Sequence, residues 1–261
     1  MIKYLSAAAA VALLTMPGSA AIVQYRATLT ALNNSGVSGQ TDFYHDTSAN
    51  TLRVVVNAFG TAPSQVHPQH VHGLFDPNSC TDTAQSGPAA GFCLDGTASL
   101  DSNVPTIAND QGGLGDMDGY VETLEGATSY GPIILNLSDP GMSDNLTAFP
   151  TSDALGNLTF EATYDLVDSN PLLFDPVFGI KHEVADLFPL TDRVYVIHGV
   201  NVLVPGGGMY EVQGDTTGYV QLLPAAAGTI ELVSAVPEPG ALGLLGLGLA
   251  GFATARVRRR S

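Results

Sequence analysis

An all-β fold, a β-sandwich or barrel, is what this sequence predicts. Three observations carry it: apolar and polar residues alternate with a period of two in several segments, helical periodicity is almost absent, and Gly, Asn, Asp and Pro punctuate the gaps. In the first segment Val23, Tyr25, Ala27, Leu29 and Ala31 share one face and Gln24, Arg26, Thr28 and Thr30 the other. Successive strand side chains project to opposite faces, so this pattern buries one side and wets the other. Asn33-Asn34-Ser35-Gly36 is turn material, and Gln40 to His45 is a short second candidate. Leu52, Val54, Val56 and Ala58 repeat the alternation. Val66 to Phe75 follows and runs into the turn residues Asp76-Pro77-Asn78. Residues 76–130 show no strand pattern and read as one long polar insertion, a length that needs a function or a stabiliser. Pro132 to Leu137 resumes the strands, followed by Leu158, Phe160, Ala162 and Tyr164, and then by Val194, Val196, His198 and Val200. Pro205-Gly206-Gly207-Gly208 reads as a hairpin turn before Tyr219 to Leu223 and Gly228 to Val233. With no internal repeat, 22–235 reads as a single β domain.

The two ends carry addresses. Met1 to Ala21 has the form of a secretory signal peptide: Lys3 at the start, an apolar run from Leu5 to Leu14, and the small residues Gly18-Ser19-Ala20-Ala21 at the cleavage region. At the other end Val236-Pro237-Glu238-Pro239 precedes a charge-free Gly/Ala/Leu-rich run, 240–255, and then Arg256, Arg258, Arg259 and Arg260. That run is shorter than the roughly 20 residues of a stable span, and its basic flank belongs on the cytoplasmic side. Residues 236–261 resemble the PEP-CTERM sorting signal of Gram-negative bacteria. The resemblance implies an exosortase partner, transient anchoring of a precursor in the inner membrane, and delivery to the cell surface or an extracellular polysaccharide matrix.

Five of the nine basic residues lie in these ends, although the whole chain already carries a formal charge of −16. Between Ile22 and Ala235 only Arg26, Arg53, Lys181 and Arg193 are basic, against 24 acidic residues, which leaves −20. A phosphate backbone needs clustered Lys and Arg, so nucleic acid is excluded as a partner. The two cysteines, Cys80 and Cys93, fall in the exported region, where an even pair predicts a disulfide.

Three of six histidines cluster in His67-Pro68-Gln69-His70-Val71-His72-Gly73. On a strand His70 and His72 face the same side about 6.6 Å apart, within reach of one metal ion. His198, on another predicted strand, completes a three-nitrogen set suited to copper or zinc. His67 is an optional fourth ligand, reached only if the chain bends at Pro68. His45 and His182 have no partner by sequence and read as surface residues.

His70-Val71-His72-Gly73, Val196-Ile197-His198-Gly199 and Ala226-Ala227-Gly228-Thr229-Ile230 resemble, in order, segments of Cu/Zn superoxide dismutases and of the related CHRD domains of secreted bacterial proteins. The resemblance implies a Greek-key β-sandwich with His70, His72 and His198 at copper-ligand positions. It also exposes departures. No histidine occurs between Gly73 and Lys181 to bridge copper and zinc, Pro224 stands where an anion-guiding Arg is expected, and Ala227 replaces the family cysteine. A positive field steers superoxide into such sites, and a domain at −20 supplies little of it. Dismutase activity is therefore not expected. The expectation is an exported acidic β-sandwich, non-catalytic and able to bind a divalent metal, with a copper-dependent redox enzyme using the same histidines as the alternative.

A second constellation lies in Asp110 to Glu125. Against the calcium loop D-x-[DN]-x-[DN]-G-x5-E, Asp116, Asp118, Gly119 and Glu125 occupy positions three, five, six and twelve. Position one is Leu114, which cannot ligate, so Asp110 must fold back to replace it, and no flanking helix is evident. Other chemistry drops out: His182-Glu183 begins a zinc-protease motif that ends in Asp186, the glycine run 206–208 lacks a P-loop Lys, and no GxSxG occurs.

Overall fold

In the computed structural model eleven strands and two short helices are described, over residues 21–80, 93–111, 114–141, 148–202 and 218–237. The expected leader, the sorting segment beyond Pro237 and the expected turn at 205–208 lie outside the described residues. The strands are β1 (Ala21–Ala31), β2 (Ser38–Asp46), β3 (Thr51–Phe59), β4 (Gln69–Phe75), β5 (Ser99–Leu100), β6 (Ile133–Asn136), β7 (Asn157–Asp165), β8 (Phe174–Asp175), β9 (Ile180–Lys181), β10 (Arg193–Val202) and β11 (Gly218–Pro237). The helices are α1 (Thr123–Tyr130) and α2 (Val184–Leu187). Their compact unit spans Ala21–Val236.

Hydrogen bonding runs β5-β4-β10-β11-β1-β2-β3-β7, with β6 also on β4 and a separate β8-β9 ribbon. β1, β2, β3 and β7 pair antiparallel in that order, as do β10 with both β4 and β11. The 20-residue β11 is bonded to both β10 and β1 and so carries the sheet from one layer to the other. Phe43 of β2 and Tyr195 of β10 are three strands apart in that order, yet their rings meet edge to face at 6.2 Å. Only two layers packed face to face bring them together, and the fold is a β-sandwich. Between the layers lie Ala27, Leu29, Leu52, Val54, Val56 and Leu158 from one side and Val71, Ile197 and Leu223 from the other.

The alternation in the sequence is a faithful guide where one face meets water. Along β3, Leu52, Val54, Val56 and Ala58 are buried and their neighbours half-buried or exposed. Along β10 every residue from Arg193 to Val200 is buried. The reason is a third layer: Val194, Val196 and Ala227 pack outward against Ala127, Tyr130 and Leu32, with α1 covering the outer face of the sheet. The insertion 76–130 is thus not a plain loop. It holds a 3-10 turn at Pro77–Ser79, strand β5, most of the cover over β4 and β10, and a disulfide joining Cys80 to Cys93.

Three further expectations are corrected. Tyr219 to Leu223 and Gly228 to Val233 are parts of one strand, because Pro224 and Gly228 are accommodated at pairings with β10 rather than breaking it. His182 is not a surface residue: it is 1% exposed, stacks on Phe75 and meets Asp186 at 3.3 Å. His45 is half-buried, its ring 4.7 Å from that of Phe188. Among the described residues no helix is long and apolar enough to cross a membrane.

Candidate metal centre

Strand register decides which histidines meet. In the antiparallel pairing of β4 and β10, His72 lies opposite Val194 and His70 opposite Val196, while the backbone N–H of His198 donates to the Pro68 carbonyl at 2.8 Å. His70, His72 and His198 therefore share the outer face, the one that α1 covers, and not the face that meets the other layer. Their ring centroids are 5.1 Å (His70 to His198), 5.5 Å (His70 to His72) and 6.1 Å (His72 to His198) apart. One ring nitrogen from each lies within 4.8 Å of the other two. A metal at about 2.0 to 2.1 Å from each nitrogen needs only a modest closing of this triangle. All three side chains are at most 3% exposed.

The helix that covers the trio also aims it. Gly131, which caps α1 at φ +85°, accepts a hydrogen bond from His72 Nδ1 at 2.9 Å. At the other end of α1, the Thr123 hydroxyl donates to the Leu222 carbonyl at 2.7 Å, and that same carbonyl accepts from His198 Nδ1 at 2.7 Å. A carbonyl oxygen can only accept, so the proton of each neutral ring is on Nδ1 and the lone pair is on Nε2. Both Nε2 atoms, and both nitrogens of His70, are buried without a hydrogen-bond partner. Buried polar atoms are almost always satisfied, and an unsatisfied one costs about 1 to 3 kcal/mol. Three such rings in one place have the chemistry of a donor set: neutral imidazoles with unpartnered nitrogens, two of them, His72 and His198, oriented by a carbonyl behind the ring.

Burial also keeps the rings neutral. Desolvation pushes His72 down to about 3 and His198 down to about 4, and it pulls His70 well below the ordinary histidine range, with the charges of His198 and His72 acting the same way. His67 stands apart from the trio. Its Nδ1 meets the His198 carbonyl at 2.8 Å and its Nε2 the Ala62 carbonyl at 3.0 Å, so it braces the backbone that carries His198. The bulge at Gly199, φ +106°, is what lets that backbone pass so close: a Cβ there would sit 2.8 Å from His67 Nδ1.

The motif pattern did not reveal what surrounds the trio. Tyr130 lies 4.4 Å from the His72 ring and donates its hydroxyl to the Thr123 carbonyl at 2.8 Å, and Phe149 meets His70 at 5.3 Å. Asp175, 1% exposed, accepts from the amides of Ile133, Val177 and Phe178. The usable signal for the helix was Glu122 with Glu125 three residues on, which form a capping box.

The carboxylate loop is assembled as well. Asp110 folds back, 3% exposed, to accept from the amides of Asp118 and Gly119, both at 3.1 Å. Glu125 accepts from the amides of Asp116 at 3.2 Å and Glu122 at 2.8 Å. One oxygen each from Asp110, Asp116 and Glu125 lie within 4.8 Å of one another. Gly119 has φ +93°, and α1 begins directly after the loop, contrary to the reading that no helix flanks it. Desolvation raises Asp118 and Glu125 above the usual carboxylate range.

Against known proteins, residues 235–260 match the PEP-CTERM protein-sorting motif. That motif marks an exported chain, recognised by exosortase-type sorting machinery and carried to the cell surface through a membrane-anchored precursor. No curated protein matches the chain. Among solved structures, superoxide dismutase 5 of Candida albicans in its Cu(II) form is similar at 12% identity and a TM-score of 0.31, over 82% of this chain and 94% of that one.

Proposed function

We propose that this protein is a surface or matrix component of CHRD-like type, an exported acidic β-sandwich that holds one copper or zinc ion at His70, His72 and His198. The observation that carries the reading is the set of buried imidazole nitrogens without partners, converging where α1 closes over the sheet. The three histidines fit such an ion: their donors are neutral at physiological pH, two have their tautomer fixed by carbonyls, and the lone pairs point at one another. Bound there, the ion supplies a Lewis-acidic centre, with redox capacity if it is copper. The chain's own groups hold and orient it, with Gly131 and Leu222 fixing the rings and α1 excluding water.

The test is metal content and melting temperature of protein purified through its native export route, beside a His70→Ala/His72→Ala variant. One equivalent of copper or zinc, lost in the variant, is the expected result; a metal-free protein whose stability ignores both ions overturns it. A redox enzyme at the same trio is the second reading, favoured by the recess in front of the rings. Dismutation is not part of that reading: among the described residues no Lys or Arg lines the recess to draw in an anion. We also propose that the Asp110, Asp116, Asp118 and Glu125 loop takes calcium, on the return of Asp110 to replace Leu114. Recovery of the tagged mature chain only from the cytoplasm argues against the whole assignment.

A further inference from the structure

The three rings form the floor of a small cavity of about 30 Å³, at the base of a recess that reaches the surface. Its walls are Leu124 and Ala127 of α1, Val177 and Phe178 of the segment after β8, and Leu222 of β11, with Val177 37% exposed at the rim. Among the described residues, Asp175 is the one Asp, Glu, Lys or Arg that lines the recess. The described basic side chains are engaged or placed elsewhere: Arg26 pairs with Asp42, Arg53 with Glu161, Arg193 donates to the Asp186 carbonyl, and Lys181 is exposed.

We infer that this recess admits a small uncharged molecule of the dioxygen or carbon monoxide class and turns away anions. Shedding the hydration of an anion in this passage is costly when no Lys or Arg among the described residues lines the way, and the one acidic wall group, Asp175, has the wrong sign. A neutral diatomic loses little on leaving water, and the apolar walls Leu124, Val177 and Leu222 above the rings offer it contact without asking for a hydrogen bond. A selector of this kind is separate from the metal ligands, since Leu124, Ala127, Val177 and Phe178 line the recess and offer no ligand atom. In its consequence for an open metal position the inference rests on the proposed copper or zinc site.

Two arms test it. In metal-free protein, xenon is the probe: crystals under xenon pressure should show one atom among Leu124, Val177 and Leu222, and an Ala127→Phe variant should lose it. In copper-loaded protein, carbon monoxide on the reduced form, read by its infrared stretch, and azide on the oxidised form, read by its charge-transfer absorption, are compared. Leu124→Lys should raise azide affinity at least tenfold, by an increment that salt removes, and leave carbon monoxide binding unchanged. Xenon missing from the recess, or azide binding as tightly to the unsubstituted protein as to Leu124→Lys, overturns the inference. Xenon in the recess of a protein that takes up neither copper nor zinc breaks the metal reading and supports the recess as an apolar port.

Discussion

The histidine trio lies beneath α1 and the carboxylate loop leads into its first turn, and the two solve the problem of convergent polar groups in opposite ways. The trio stands on two paired strands whose register fixes the side chains, and its inward nitrogens have no partners within the protein. In the loop, Asp110 and Glu125 spend their oxygens on the loop's own amides. A self-satisfied cluster can hold its shape without an ion, whereas lone pairs buried without donors carry a cost that a metal relieves. The difference teaches that proximity of ligand types is a weaker sign of a metal site than what those ligands lack.

Acid separates the two regions most strongly. The folded-state values of the three histidines lie below the ordinary 6.5, so the unfolded chain binds more protons in the window from about 6.5 down to about 4. Stability of metal-free protein is then complete above pH 6.5 and falls as pH drops, by an amount of the order of 4 kcal/mol per pH unit for three rings that all stay neutral. Asp118 and Glu125 are shifted upward, so their contribution has the other sign: it is present at low pH and is lost as pH rises through their folded values. Urea midpoints between pH 4.5 and 7.5 should therefore slope steeply, and His70→Phe/His72→Phe should flatten the slope. A profile that ignores those substitutions removes the electrostatic half of the comparison.

Next in size is the disulfide, which closes a separation of 13 residues and should be worth about 3 kcal/mol in the chain-entropy model. Cys80→Ser/Cys93→Ser should cost that much in thermal stability and leave zinc affinity within about threefold, because the trio is placed by strands and by α1. A large loss of affinity shows instead that the Cys80–Cys93 crosslink itself helps to position the rings. Zinc at about a hundredfold excess over its dissociation constant should add about 3 kcal/mol, seen as a rise of several degrees in melting temperature that is absent in His198→Ala. Calcium should give the smallest effect, about 1 kcal/mol or less, abolished by Asp116→Asn; a melting temperature unchanged by chelator retires that site.

How much could be read in advance follows from what each element responds to. β3 was legible because water on one face enforces alternation, as it does in β1 and β7, whereas β10, buried on both faces, was legible from its run of Val and Ile. The residues of α1, Thr-Leu-Glu-Gly-Ala-Thr-Ser-Tyr, include a glycine and two β-branched threonines and have no helical stripe, so beyond the Glu122/Glu125 spacing nothing local announces a helix. It forms because Glu122 and Glu125 cap its start, Gly131 ends it, and Ala127 and Tyr130 find Val194 and Val196 beneath them. Gly126 is part of that fit, since a Cβ there would lie 2.5 Å from the Tyr130 ring. His182 was misread for a related reason: Phe75 and Asp186, which bury and bind it, come from different elements, and no spacing in the chain reveals a stacking partner a hundred residues away.

By itself the sequence determined the strand-rich class, the extreme acidity of the body, the sorting address at residues 235–260 and the identity of the two cysteines that pair. These depend on composition, on a two-residue period or on a contiguous motif, all of which are written locally. Tertiary structure alone decided that the trio lies on the outer face of its sheet, that the insertion folds into a helix holding two of the three rings, and that an apolar recess leads to them. Each of these depends on register between strands far apart in the chain, where a shift of one residue turns every side chain to the other face.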